Sequence, residues 1–284
     1  MKRQLLALSL LFLAGCEQTK PPTPEGLKKI EARTAEGTVF TKLEARSQPE
    51  KPLAGQVSIW DLKVFDIKDK PDRTRAEWKF FNPLPQSAGA PNTTDVLMKA
   101  WIISRDGSVF LPAVPSYKAY GSFVTDWSLP RPGAYSLFVE YHPAKSGTPK
   151  SSISVEMASW NFTAEAGPSK EKILPSKPSW SASLNPAPIT LNGSPEGEPA
   201  GALSLEGLPT KAGEVTDVTV KGAPAGAAGM ELAALSAGGH FQHFTADSRG
   251  IFEVSFPKSS MVRIWAYFTL NGAPYAAPLN HFVN

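Results

Sequence analysis

The chain predicts an all-β protein with two β-sandwich domains in tandem, and three observations carry that prediction. Turn-forming residues are frequent, with 27 prolines and 22 glycines in 284 residues. The best apolar segments are short and alternate with a period of two, the spacing that puts one face of a strand on a core and the other in solvent. Two stretches of the chain also look like copies of one design, so a single sandwich plan serves twice.

The N-terminus comes first. Lys2 and Arg3 precede a nearly unbroken apolar run from Leu5 to Leu13, and Ala14-Gly15 leads into Cys16, the only cysteine. This is the layout of a secretory leader, and nine apolar residues are too few for a membrane-crossing helix, which takes roughly 20. Leu13-Ala14-Gly15-Cys16 resembles the lipobox of bacterial lipoprotein precursors. The resemblance implies cleavage before Cys16, a diacylglycerol on its sulfur and an acylated new amino terminus. Residues 1–15 are then a signal peptide, and acyl chains alone hold the protein on the bilayer, two or three of them giving lasting attachment. The alternative is an uncleaved anchor in which Cys16 is incidental. Glu17 stands where, in the Gram-negative members of that class, an aspartate often signals retention in the inner membrane. The resemblance thus implies a cell-envelope location, at the outer membrane facing the periplasm or at the cell surface.

Residues 16–51 read as a flexible tether: Glu17-Gln18-Thr19-Lys20-Pro21-Pro22 and the mixed-charge run after it carry few large apolar side chains. Thr23-Pro24 is a possible helix start, and Val39-Phe40 a possible added strand. Domain 1 is expected over 52–165. Its strands are Gln56 to Ile67, Arg75 to Phe81, Val96 to Ser104, Phe123 to Leu129, Tyr135 to Tyr141 and Ile153 to Phe162. Val96 to Ser104 is almost wholly apolar, as in a strand covered on both faces. Arg105-Asp106-Gly107-Ser108 supplies a tight hairpin turn. Residues 166–177 are the expected linker, and domain 2 spans 178–284. Its strands are Ile189 to Leu191, Ala202 to Leu205, Val215 to Val220, Met230 to Leu235, His240 to Phe244, Ile251 to Phe256, Val262 to Phe268 and Tyr275 to Val283.

The repeat is visible as matched blocks with a single length difference in a loop. Val124 to Pro130 lines up on Ile251 to Pro257, and the same offset carries Tyr135 to Tyr141 onto Val262 to Phe268. Met98 to Ser104 lines up on Met230 to Ser236, the intervening hairpin differing by five residues. With Leu129-Pro130-Arg131-Pro132-Gly133-Ala134-Tyr135 and the aromatic strands after it, the unit resembles the immunoglobulin-like sandwiches of bacterial envelope and metal-resistance proteins. That resemblance implies histidines in the hairpin segment. The first copy has Val109-Phe110-Leu111-Pro112 there, and the second His240-Phe241-Gln242-His243-Phe244.

Candidate chemistry is sparse. Without Lys2 and Arg3 the chain carries 27 basic and 26 acidic residues, scattered, which gives no footprint for nucleic acid. No Gly-x-Ser-x-Gly elbow or recognisable triad motif points to an enzyme. His240 and His243, with His281, are the candidate ligands for copper or zinc. A three-residue spacing on a strand sends the first two to opposite faces unless Gly238-Gly239 bends the chain, so the plainer reading is loop or edge histidines. Trp160 and Trp180 flank the linker and are the expected contacts between domains. The function expected is a non-enzymatic binding or scaffolding protein, anchored in the bilayer through acylated Cys16 and meeting another envelope protein or ligand. The alternative is metal handling by the second domain.

Overall fold

The computed structural model describes residues 30–31, 33–34, 41–66, 81–87, 95–144, 155–167, 203–270 and 273–284. Its first half holds β1 (Ile30–Glu31), β2 (Arg33–Thr34), β3 (Thr41–Gln48), β4 (Val57–Asp66), β5 (Met98–Ser104), β6 (Phe110–Ala113), β7 (Ser116–Ala119), β8 (Ser122–Ser128), β9 (Gly133–Tyr141) and β10 (Glu156–Ala164). The second holds β11 (Ser204–Glu206), β12 (Val215–Lys221), β13 (Ala228–Ser236), β14 (Phe241–Thr245), β15 (Ile251–Ser255), β16 (Ser260–Leu270) and β17 (Ala273–Val283). The fold is all-β and of sandwich type, with no helix among the described residues.

Among the described residues four antiparallel sheets form, ordered β1-β3-β4-β8-β7, β2-β10-β9-β5-β6, β11-β12-β15 and β14-β13-β16-β17. The two halves share a plan. The order β3-β4-β8 in one is β11-β12-β15 in the other, and β10-β9-β5-β6 is β17-β16-β13-β14. The residue matches read from the sequence fall on equivalent strands: β8 on β15, β9 on β16 and β5 on β13.

Strand alternation stacks the sheets in four layers around three cores. Trp60, Leu62, Phe123 and Trp127 from the first sheet meet Ala100, Ile102, Leu137 and Val139 from the second. In the second half Val218, Phe252 and Val254 meet Leu232, Ile264 and Ala266. The third core lies between the halves, where Trp101, Ile103, Phe110 and Phe138 pack on Ala233, Leu235, Phe241, Trp265 and Ala276. This explains why all seven residues of β5 are buried: even positions face the first core and odd positions the other half.

Two expectations change. The tether ends before residue 51, because Thr41–Gln48 pairs with β4 along its whole length. Leu43 and Ala45 are buried at period two, and the Thr41 and Tyr141 hydroxyls meet the buried Glu156 carboxylate, joining this strand to the opposite sheet. Trp160 does not bridge the halves; it packs edge-on to Trp60 and beside Phe162 within the first half. Among the described residues the bridging tryptophans are Trp101 and Trp265. Cys16, the Thr23 helix start, most of Arg75 to Phe81, most of the linker, Trp180 and Ile189 to Leu191 lie outside the described residues.

Candidate functional site

A charged cluster sits in the seam between the halves, placed there by the same alternation that builds the apolar part. On β5 and β9 the outward positions include Lys99 and Glu140; on β13, β14 and β16 they include Glu231, His243 and Tyr267. Lys99 is 4 % exposed and Glu231 8 %, so neither charge is solvated and each needs a partner. Lys99 Nζ donates to Glu231 Oε1 at 2.5 Å and to the Pro85 carbonyl at 3.0 Å. Glu231 Oε2 accepts from the Tyr267 hydroxyl at 2.6 Å and from His243 Nε2 at 3.2 Å. His243 Nδ1 lies 2.7 Å from Glu140 Oε2. Trp101 Nε1 donates to the Tyr267 hydroxyl at 3.3 Å, and the Trp101 ring lies against His243 with centroids 4.9 Å apart.

With a carboxylate at each ring nitrogen, His243 donates twice only as the imidazolium. Lys99 and His243 then balance Glu140 and Glu231. Burial opposes charge on His243, yet the neighbouring Glu140 and Glu231 carboxylates raise its proton affinity above the ordinary value. Burial likewise works against the Glu231 carboxylate, but His243 and Lys99 outweigh it and bring its pKa down to about 2. A cavity of about 210 Å³ adjoins the cluster, with Lys99, Trp101, Glu231 and Tyr267 in its wall. The arrangement is a neutral, internally hydrogen-bonded lock. Lys99 holds a carboxylate and a carbonyl, so it is not poised as a nucleophile.

The three histidines singled out from the sequence fall in three places. His243 is in the seam. His240 is exposed just ahead of β14, its backbone N–H bonded to Ser236 Oγ at 3.1 Å. His281 is on β17, with Nε2 2.7 Å from the Pro209 carbonyl oxygen. Through the pairings His281–Val262 and Val262–Ser236, about three strand spacings, roughly 14 Å, separate His281 from His240. Gly239, at φ +81°, turns the β13–β14 hairpin without bringing His240 and His243 to one face. Among the described residues no group of three or more His, Cys, Asp or Glu side chains is placed to hold a metal ion.

Lys99, Glu140, Glu231 and Tyr267 were not anticipated. A signal for two of them existed: Lys99 and Glu231 interrupt otherwise apolar strands at the same position of the repeat. No protein-family model and no curated protein matches the chain.

Proposed function

We propose that this chain is a non-enzymatic binding or scaffolding protein of the cell envelope, lipid-anchored through Cys16 and built from two immunoglobulin-like sandwiches locked face to face. The observation that carries the non-enzymatic reading is the seam. Its buried titratable groups bind one another across the halves, as in a structural lock rather than a reactive site. The immunoglobulin-like reading is supported by the sheet orders β3-β4-β8-β7 and β10-β9-β5-β6, which follow the A-B-E-D and G-F-C-C′ arrangement of that fold. It is supported too by Tyr135, at the start of β9, whose hydroxyl donates to the Arg131 carbonyl four residues upstream at 2.7 Å. The anchor rests on Leu13-Ala14-Gly15-Cys16. Such a protein meets its partners at the bilayer, with loops and sheet edges as the contact surface.

Fractionation tests the anchor. Cys16→Ser moves the protein from the membrane pellet to the soluble fraction, since removing the acyl chains removes the only attachment proposed. Unchanged recovery with membranes overturns it.

A further inference from the structure

The repeat allows the two halves to be compared residue by residue, and they differ most at one end of the sandwich. In the first half that end is filled. Tyr135 is 2 % exposed, Ile102 0 % and Val109 8 %, and Leu111 packs against the same core. The equivalent residues in the second half are Val262, Ala234, His240 and Gln242. The first two follow from the sequence match. The last two follow from the hairpin bonds, since Ser104 N–H donates to the Val109 carbonyl as Ser236 N–H does to the His240 carbonyl. A phenol ring and a branched aliphatic chain are thus replaced by an isopropyl and a methyl group, and two apolar residues by polar ones.

The consequence is a cavity of about 380 Å³ at that end of the second half, walled by β13, β14, β16 and the segment after β15 and reaching the core residues Ala234, Phe256 and Val262. Its polar lining comes from Ser236, His240, Gln242, Lys258 and Ser260, and none of its lining residues is acidic. Gln242 spans the two sheets, Nε2 donating to the Ser255 carbonyl at 2.9 Å. Ser260 stands where the first half has Gly133, so its hydroxyl has no counterpart there. Ser260 Oγ is shielded from solvent and has no hydrogen-bond partner. A buried hydroxyl without a partner is costly and calls for a reason. An apolar pocket with a few convergent polar groups is the usual form of a small-molecule site.

We propose that this cavity binds a small aromatic carboxylate, the ring seated between Ala234, Phe256 and Val262 and the carboxylate held by Lys258, with the unpartnered Ser260 hydroxyl reaching it by rotation about its Cα–Cβ bond. The ring takes the space that Tyr135 fills in the first half. The positive charge of Lys258 and the lack of acidic lining select an anion over a neutral or cationic head group. The inference names a ligand class for the binding-module reading and does not depend on the anchor, so the fractionation test and the binding test fail separately.

The probe is 4-hydroxyphenylacetate, titrated into the purified full chain and followed by saturation-transfer NMR and calorimetry, with 2-(4-hydroxyphenyl)ethanol as the uncharged control. The acid binds saturably at a single site, and both the alcohol control and the Lys258→Ala protein bind about tenfold more weakly, the loss expected for one hydrogen bond to a charged group. Val262→Tyr restores the side chain of the first half and abolishes binding. Ala234→Ile, which refills the space from β13, is the second variant should the first not fold. No saturable binding of the acid to the wild-type chain overturns the proposal, as does undiminished binding by either refilled variant.

Discussion

His243 shows how one residue can be set by two half-molecules. Its pair of carboxylates comes from opposite sides of the seam, Glu140 on β9 and Glu231 on β13. His243→Gln keeps the approximate shape but leaves the buried Glu231 and partly buried Glu140 carboxylates against one ammonium, and costs about 3 kcal/mol in denaturant unfolding near pH 6. The pH dependence has a definite sign. The raised proton affinity of His243 contributes stability in full below its ordinary value of 6.5, and that contribution is lost as pH rises through the folded-state value. The lowered pKa of Glu231 contributes in full above its ordinary value of 4.5 and is lost as pH falls toward about 2. The seam is therefore strongest between these ordinary values. Melting temperature measured against pH falls on the alkaline side in the wild type, and His243→Gln removes that fall. A wild-type profile that stays flat through neutrality would show that the carboxylates do not raise the proton affinity of His243, and one that rises through pH 6.5 would show an imidazole held neutral by burial. At this scale the sequence was half legible: it singled out His243 and marks Glu231 as a charge in an apolar strand, but nothing local ties either to Glu140, 103 residues from His243 in the chain.

The hairpin after β5 and the start of β9 make one connected device. Gly107 adopts φ +67°, and Asp106 Oδ1 accepts from Ser104 Oγ at 2.6 Å, the Ser108 N–H at 3.2 Å and Arg131 at 2.6 Å. Burial alone would raise the proton affinity of Asp106, but Arg131, Ser104 and Ser108 outweigh it and hold the carboxyl well below the usual carboxylate range. Arg131 is in turn the residue whose carbonyl receives the Tyr135 hydroxyl, and the Tyr135 ring stacks on Phe162 at 5.7 Å. Tyr135→Phe leaves that carbonyl without its donor and costs about 1 kcal/mol. Tyr135→Val, which copies the second half, adds a cavity and costs about 3 to 5 kcal/mol; urea unfolding of the two variants separates the terms. Strands such as β9 were legible because Tyr135, Leu137, Val139 and Tyr141 alternate without interruption. The strand at Thr41–Gln48 was hidden because Lys42, Glu44 and Arg46 flank its two small apolar contributions, Leu43 and Ala45, and make it read as tether.

For the whole molecule the seam is the governing element, and it has an approximate twofold character. Phe110 stacks on Trp265 at 4.8 Å, and Phe138 stacks on Phe241 at 4.4 Å. Phe110 is equivalent to Phe241 and Phe138 to Trp265 in the repeat, so the two stacks are one contact made twice. Lys99 and Glu231, equivalent to each other, meet directly. Calorimetry of the wild type gives one unfolding transition, because exposing the seam in either half strips the other. Trp265→Ala costs about 3 to 5 kcal/mol and splits that transition into two. Two transitions already present in the wild type would show the halves to be energetically independent. The correspondence of strands between the two halves was legible from the sequence, but the way the halves pack was not. Outward apolar residues of β5 and β9 look the same in a sequence whether a second sheet, a ligand or a second copy covers them.

A surface that meets its own counterpart about a twofold axis is the kind a homodimer uses. Carrying both counterparts on one polypeptide makes their meeting intramolecular, so dilution, which would dissociate a dimer, leaves the stack whole and its melting temperature independent of protein concentration.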